Sequence, residues 1–168
     1  MIIKLKLQSK IIVYVAIIGL FVMMVGIFWH ASLDNPKLEQ VEIKLVNVTV
    51  KDVNNIENTA KLEITFLVKN PSEKTFTVPT ITYKLYADGK LLGTGLYSTA
   101  DISMTGRALI IKGAEIPLKH LFILKQSNVD SEMYQAILNG NITNFTTEGV
   151  ITTETTWSSI EKEFKSST

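Results

Sequence analysis

Few side chains in this 168-residue chain could carry chemistry. It has two histidines, His30 and His120, and no cysteine. Without cysteine there is no thiolate nucleophile, no disulfide and no zinc-thiolate centre. His30 closes a long apolar run. His120 shares one face of a strand-like segment with Ile116, Leu118, Phe122 and Leu124, which suits a packed, hydrogen-bonded histidine better than a ligand. The two are far from the four-residue spacing at which a helix presents paired metal ligands. "DGKLLGTG", residues 88–95, has glycines but no helical pattern behind it, so it reads as a hairpin and not as a phosphate cradle. Serines and threonines abound without a second plausible base, and carboxylates fall singly on polar phases. No catalytic, cofactor-binding or metal residue is assigned, and the reading is non-enzymatic.

The polar residues that do stand out are asparagines. Asn70 and Pro71, followed by Ser72, sit in "VKNPSEKTFTVP" between two alternating segments. An asparagine can hydrogen-bond nearby backbone, and proline fixes φ while donating nothing, so the pair ends a strand and begins a turn. A ligand role for Asn70 is the competing reading, since loops carry function. Asn47, Asn141 and Asn144 each begin an Asn-x-Thr triplet, a glycosylation acceptor only in the right compartment and otherwise a chance product of a Thr- and Asn-rich chain. On one continuous strand Asn141 and Asn144 would face opposite ways.

These residues must be positioned by the elements around them. "IIVYVAIIGLFVMMVGIFW", residues 11–29, has no charge. As a helix rising about 1.5 Å per residue it matches a hydrocarbon core of about 30 Å. The alternative, a cleaved secretory signal, normally has a shorter apolar region and a small-x-small site, and Phe28, Trp29 and His30 do not supply one. The segment is therefore read as an uncleaved lipid-spanning anchor. Lys4, Lys6 and Lys10 precede it, which places the N-terminus in the cytoplasm and the remainder outside. Trp29 suits the outer interface. Gly19 and Gly26, seven apart, could form a small-residue contact stripe toward other spans, or be ordinary anchor glycines. Of the 17 basic residues, 14 follow the anchor, against 16 acidic ones, a balance of −2 that gives no reason to expect a nucleic-acid partner.

Beyond a polar stalk at 30–40 the apolar period becomes two. Val41, Ile43 and Leu45 alternate, then Val46, Val48 and Val50 in the opposite phase, which predicts a bulge or a strand that changes which face it buries. Ala60, Leu62, Ile64, Phe66 and Val68 form the clearest strand, and Ile81, Tyr83, Leu85 and Ala87 lead into Asp88-Gly89, a tight-hairpin signal. The return strand meets Gly93 and Gly95, where bulging or close backbone approach is expected. "RALIIK" (107–112) and "AEIPLKHLFIL" (114–124) also read as strands, with Pro117 placing the second at an edge. "SNVDSEMYQAILNG" reads as a short amphipathic helix, with Ser127 and Asp130 at capping-box spacing and Gly140 past its end. A strand pair broken at Glu148-Gly149 follows, and 158–168 reads as a fraying tail. The pattern predicts an all-β antiparallel sandwich with one short helix, spanning 41–157, behind residues 1–10, the anchor at 11–29 and the stalk.

In that order, "KNPSEKTFTVP", "YKLYADGKLLGTG", "AEIPLKHLFIL", the helix ending at Gly140 and the last glycine-containing strand pair resemble the group 2 late embryogenesis abundant family, or WHy (water stress and hypersensitive response) domain. Ser72 stands where that family's Asn-Pro-Asn signature commonly has its second asparagine. The resemblance implies a seven-stranded sandwich of the immunoglobulin or fibronectin type III kind with one helix, sometimes membrane anchored. It implies association with desiccation, cold or other stress, protection of client proteins or membranes, and no catalytic residues. The competing reading is an accessory subunit of a membrane complex.

Overall fold

A computed structural model of the chain describes residues 2–101 and 109–168, and the side chains of 10–100 and 109–168. The N-terminal helix α1 covers Ile2–Ser32. From residue 10 to residue 30 every side chain is exposed. A helix apolar on all sides has no single face to bury. Its most apolar 18 residues have a mean hydropathy of 2.9 with none of that stretch buried within the molecule, so it is long and apolar enough to cross a membrane.

Seven strands follow: β1 (Glu42–Asn54), β2 (Thr59–Lys69), β3 (Thr77–Ala87), β4 (Lys90–Ser98), β5 (Glu115–Lys125), β6 (Phe145–Glu154) and β7 (Ser159–Ser167). They form two antiparallel sheets, ordered β1-β2-β5 and β4-β3-β6-β7. The period-two residues meet between them. All five inward side chains of β2, and Ile81, Tyr83, Leu85 and Ala87 of β3, are at most 1% exposed. Val46 is the extra residue in β1, where pairing with β2 shifts between Leu45 and Asn47, and a second shift follows Val50. The β3–β4 turn takes positive φ at Asp88 (47°) and Gly89 (79°), as a two-residue hairpin requires. Pro117 lies on β5, an edge strand of the smaller sheet.

The helix in the β5–β6 connection, Ser131–Leu138, buries Met133, Tyr134 and Ile137. Its N-cap is Asp130, not Ser127, which lies in a preceding 3₁₀ turn. Asp130 has no side-chain bond to the helix. Its carboxylate accepts from Lys90 Nζ at 2.8 Å instead, which holds the helix against the hairpin.

Four expectations are corrected. The tail is strand β7, paired with β6 along its whole length. Its charges at 161, 162, 163 and 165 conceal an alternation in which Ile160, Lys162, Phe164 and Ser166 turn inward, with Phe164 edge-on to Phe66 at 5.9 Å between ring centres. The sandwich therefore runs to residue 167, past the expected limit of 157.

Residues 30–40 are not a free stalk. α1 continues to Ser32, and a short helix, α2 (Asn35–Leu38), docks on the sandwich with Leu38 fully buried. Gly149 does not break β6: it pairs with Tyr83 on one side and Phe164 on the other. A Cβ there would lie 2.0 Å from the Thr82 carbonyl oxygen, so glycine serves close strand approach and not a turn. Of the expected 107–112 strand, 107 and 108 lie outside the described residues. The rest supplies one bridge, Phe76 to Ile110, followed by a turn.

Candidate functional site

The connectivity sorts the loops between two ends. The chain leaves α1 at the end formed by α2, residues 70–76, the described part of the β4–β5 connection and the β6–β7 turn. The opposite end holds the β1–β2 turn, the β3–β4 hairpin and the connection from β5 to β6.

Asn70 anchors the first end. It is fully buried, although it is polar and lies in a loop. Its amide donates to Ala114 O at 3.0 Å, and its carbonyl accepts from Gly113 N at 2.7 Å. Its side-chain nitrogen donates to Lys74 O (2.7 Å) and Ile110 O (2.8 Å). Its side-chain oxygen accepts from Ser72 N (3.0 Å) and Ser72 Oγ (2.8 Å). An amide side chain has two donors and one doubly accepting oxygen, and all of that capacity is used. Asn70 therefore clamps two loops together and has no hydrogen-bonding capacity left for a ligand. Ser72, 3% exposed, completes the clamp with both its backbone N–H and its hydroxyl. Pro71 is exposed beside them.

The same corner receives the chain from α1. Asp34, 5% exposed, pairs with Lys74 Nζ at 3.0 Å, and Asn35 bonds Ser158 Oγ in the β6–β7 turn. Lys162 Nζ donates to the carbonyls of Glu39 (2.8 Å) and Val41 (2.6 Å). On the same flank Ser166 Oγ accepts from Leu45 N at 2.9 Å, so β7 closes the sandwich against β1 through side-chain-to-backbone bonds. None of these four residues was singled out from sequence. The available signal was Asp34-Asn35-Pro36, an acid and an asparagine ahead of a helix-starting proline.

His120 is part-buried, and its Nδ1 lies 2.6 Å from Tyr83 Oη. Burial pushes the Tyr83 hydroxyl well above its ordinary range, so it stays protonated, and which of the two atoms donates follows the His120 tautomer. Tyr83 stands edge-on to Phe66 at 5.0 Å and lies over Gly95, where a Cβ would meet its ring at 2.3 Å. The pair joins β3 of one sheet to β5 of the other. It is an inter-sheet pin, with a phenol held in its least reactive form.

The outer face of the larger sheet has an open depression of about 630 Å³ lined by Thr82, Lys84, Thr94, Glu148, Glu163 and Lys165 among others. Lys165 and Glu148 approach to 3.7 Å there, so much of its charge is internally matched. Among the described residues no group of three or more His, Cys, Asp or Glu is placed to hold a metal ion.

Asn47, Asn141 and Asn144 are all exposed. The last two lie in the connection leading to β6, not on a strand, at the end away from α1. Gly19 and Gly26 face open space on α1: a Cβ added to either would meet nothing within 4 Å.

No family model matches the chain, and no curated protein matches it. Solved structures do. The solution structure of an Arabidopsis thaliana protein overlaps with a TM-score of 0.52 at 14% identity, covering 76% of this chain and 80% of that one. Neighbours with smaller scores include a candidate late embryogenesis abundant (LEA) protein, with TM-score 0.45, 12% identity, and 84% and 77% of the two chains covered. They also include a crystal structure of a protein from Archaeoglobus fulgidus, with TM-score 0.43, 17% identity, and 78% and 94% covered. At these identities the likeness is one of fold. The Arabidopsis overlap is the one that carries it.

Proposed function

We propose that the chain is a single-pass, membrane-anchored protein whose sandwich acts without catalysis at the outer face of the membrane, protecting neighbouring proteins or lipid during water loss or cold. The observation that carries this reading is the direct junction of a helix apolar on every side with a sandwich whose conspicuous polar residues, Asn70, Tyr83 and His120, are engaged in structural bonds. The likeness of the ordered motifs to the group 2 late embryogenesis abundant family supplies the physiological class, and the three lysines ahead of the span supply the orientation. A sandwich held at the bilayer would keep partly unfolded clients or membranes apart as water is removed.

The test is drying or freezing of an aggregation-prone enzyme with vesicles carrying the full chain. Less aggregation and less vesicle leakage than with empty vesicles is the expected result. Equal loss in both would remove the protective role.

A second reading, an accessory subunit of a membrane complex, is favoured by the open flank of α1 at Gly19 and Gly26. Stoichiometric partners after gentle extraction and cross-linking would select it, and a lone monomer would select the first.

A further inference from the structure

The end of the sandwich where the chain leaves α1 presents large apolar side chains to solvent. Trp157, at the tip of the β6–β7 turn, is 70% exposed; Leu109 is 65% exposed, and Leu33 and Ile111 are exposed as well. Leu109 lines a small hollow together with Thr155 and Thr156, which places it next to the Trp157 turn. The fold does not need these residues on its surface. Elsewhere in the same loops apolar residues such as Phe76 and Ile110 are buried.

What they face is set by the tether. Only Leu33 separates the last residue of α1 from Asp34, which is buried and bonded to Lys74 in the 70–76 loop. Asn35 is bonded to Ser158, the residue after Trp157. From Trp29 to Asp34 the chain covers about 8 Å as a helix and at most about 18 Å fully extended. The turn carrying Trp157 is thus held at the outlet of α1, within reach of the plane at which Trp29 sits. These are the only two tryptophans in the chain. Tryptophan favours that plane, because its ring is apolar and its indole N–H can still find a partner there.

Among the described residues at this end, Asp34 pairs with Lys74 and Glu73 pairs with Lys112 at 2.7 Å. A lipid contact there would be apolar in character and indifferent to lipid charge.

Building on the anchored reading above, we infer that this end of the sandwich is a second membrane contact: Trp157, with Leu109 beside its turn and Ile111 and Leu33 exposed at the same end, seats in the headgroup interface of the bilayer that α1 crosses. The sandwich is then a docked module with a fixed orientation, not a domain swinging on a stalk. The three exposed asparagines lie away from the docked loops, with Asn141 and Asn144 at the far end.

The experiment uses the full chain reconstituted in zwitterionic phosphatidylcholine vesicles, as two variants with one tryptophan each. Trp29→Phe leaves Trp157 as the reporter, and Trp157→Phe leaves Trp29. Emission is read with lipids spin-labelled near the headgroup and, separately, with aqueous iodide. The expected result is an about twofold loss of emission from either tryptophan on labelled lipid, with both shielded from iodide. Replacing a third of the lipid by an anionic one should leave the Trp157 loss unchanged.

Trp29 quenched by labelled lipid while Trp157 remains open to iodide would overturn the second contact and leave the anchor standing. A Trp157 shielded from iodide but untouched by labelled lipid would assign the turn to a second copy of the chain, and overturns the lipid contact too. If Trp29 is also unquenched, the anchor fails and this inference fails with it.

Discussion

The chain holds two bodies of apolar residues, α1 and the sandwich interior, and they are satisfied in different ways. Along β2 the five inward side chains from Ala60 to Val68 are fully buried, while Lys61 between them is exposed. Along α1 side chains as large as Phe21, Met23 and Trp29 are all exposed, and no polar face separates them. The difference lies in period more than in composition. A strand with period two asks for one covering layer, and the second sheet supplies it. A helix apolar in every direction asks for an apolar solvent on every side. The interior of the sandwich is therefore complete in itself, whereas the apolar side chains of α1 find no cover among the described residues, and the helix is long and apolar enough to cross a bilayer.

Breaking the interior at its corner should have the largest effect. In Asn70→Ala the carbonyls of Lys74 and Ile110 and the N–H and hydroxyl of Ser72 each lose a bond, with Phe76 N still donating to Ile110 O and Ser72 Oγ still in reach of Lys74 O. The expected loss is about 3–4 kcal/mol, about 1 kcal/mol for each of the four side-chain bonds removed. Thermal unfolding of the full chain in micelles, followed by near-ultraviolet circular dichroism, should shift down by about 10 °C. An unchanged midpoint would mean that the corner does not hold the sandwich. On the other side of the comparison, Val22→Arg puts a charge near the middle of the span, at a cost of about 3 kcal/mol for insertion. The fraction of chain retained in membranes after alkaline extraction should drop while the unfolding midpoint of the sandwich stays where it was. A fall in both would mean that α1 belongs to the folded domain.

Smaller changes sharpen the picture of the interior. Tyr83→Phe removes the bond to His120 but keeps the ring packed on Phe66, and should cost about 1 kcal/mol in the same unfolding measurement. Thr153→Val should go the other way, a gain of about 1 kcal/mol. Thr153 is fully buried with a hydroxyl that has no hydrogen-bond partner among the described residues, and valine has nearly its shape. The smallest effect concerns pH. Lys112, Lys90 and Lys51 hold Glu73, Asp130 and Glu63 below their ordinary values of 4.5, 3.8 and 4.5. A depressed carboxylate contributes stability above its ordinary pKa and loses it as pH falls through the folded value. The midpoint should therefore decline modestly below about pH 4.5, and by less in high salt, since the Glu73 and Asp130 pairs are exposed to solvent and the Glu63 pair is partly so.

How much of this could be read in advance follows from the same rule of periods. The β2 strand, the β3–β4 hairpin at Asp88-Gly89 and the bulge at Val46 were legible because apolar alternation and turn residues agreed there. β7 was not, because Lys162 and Ser166 occupy inward positions by bonding to β1 backbone, and only Ile160 and Phe164 remain to mark the alternation. Gly149 read as a break because a glycine in a strand signals either a turn or a close approach, and only the neighbouring backbone decides between them. The corner at Asn70 was readable as a turn. Its completeness was not, since four of its six bonds go to residues in two loops, at Lys74, Ile110, Gly113 and Ala114, that only the folded chain brings together.

The most direct measurement is the intact mass of the protein recovered from membranes washed at alkaline pH. A chain whose apolar helix is satisfied by the bilayer should be found there at its full 18.7 kDa, with residues 11–29 still attached. Recovery in the soluble wash, or as a species beginning after Trp29, would contradict that.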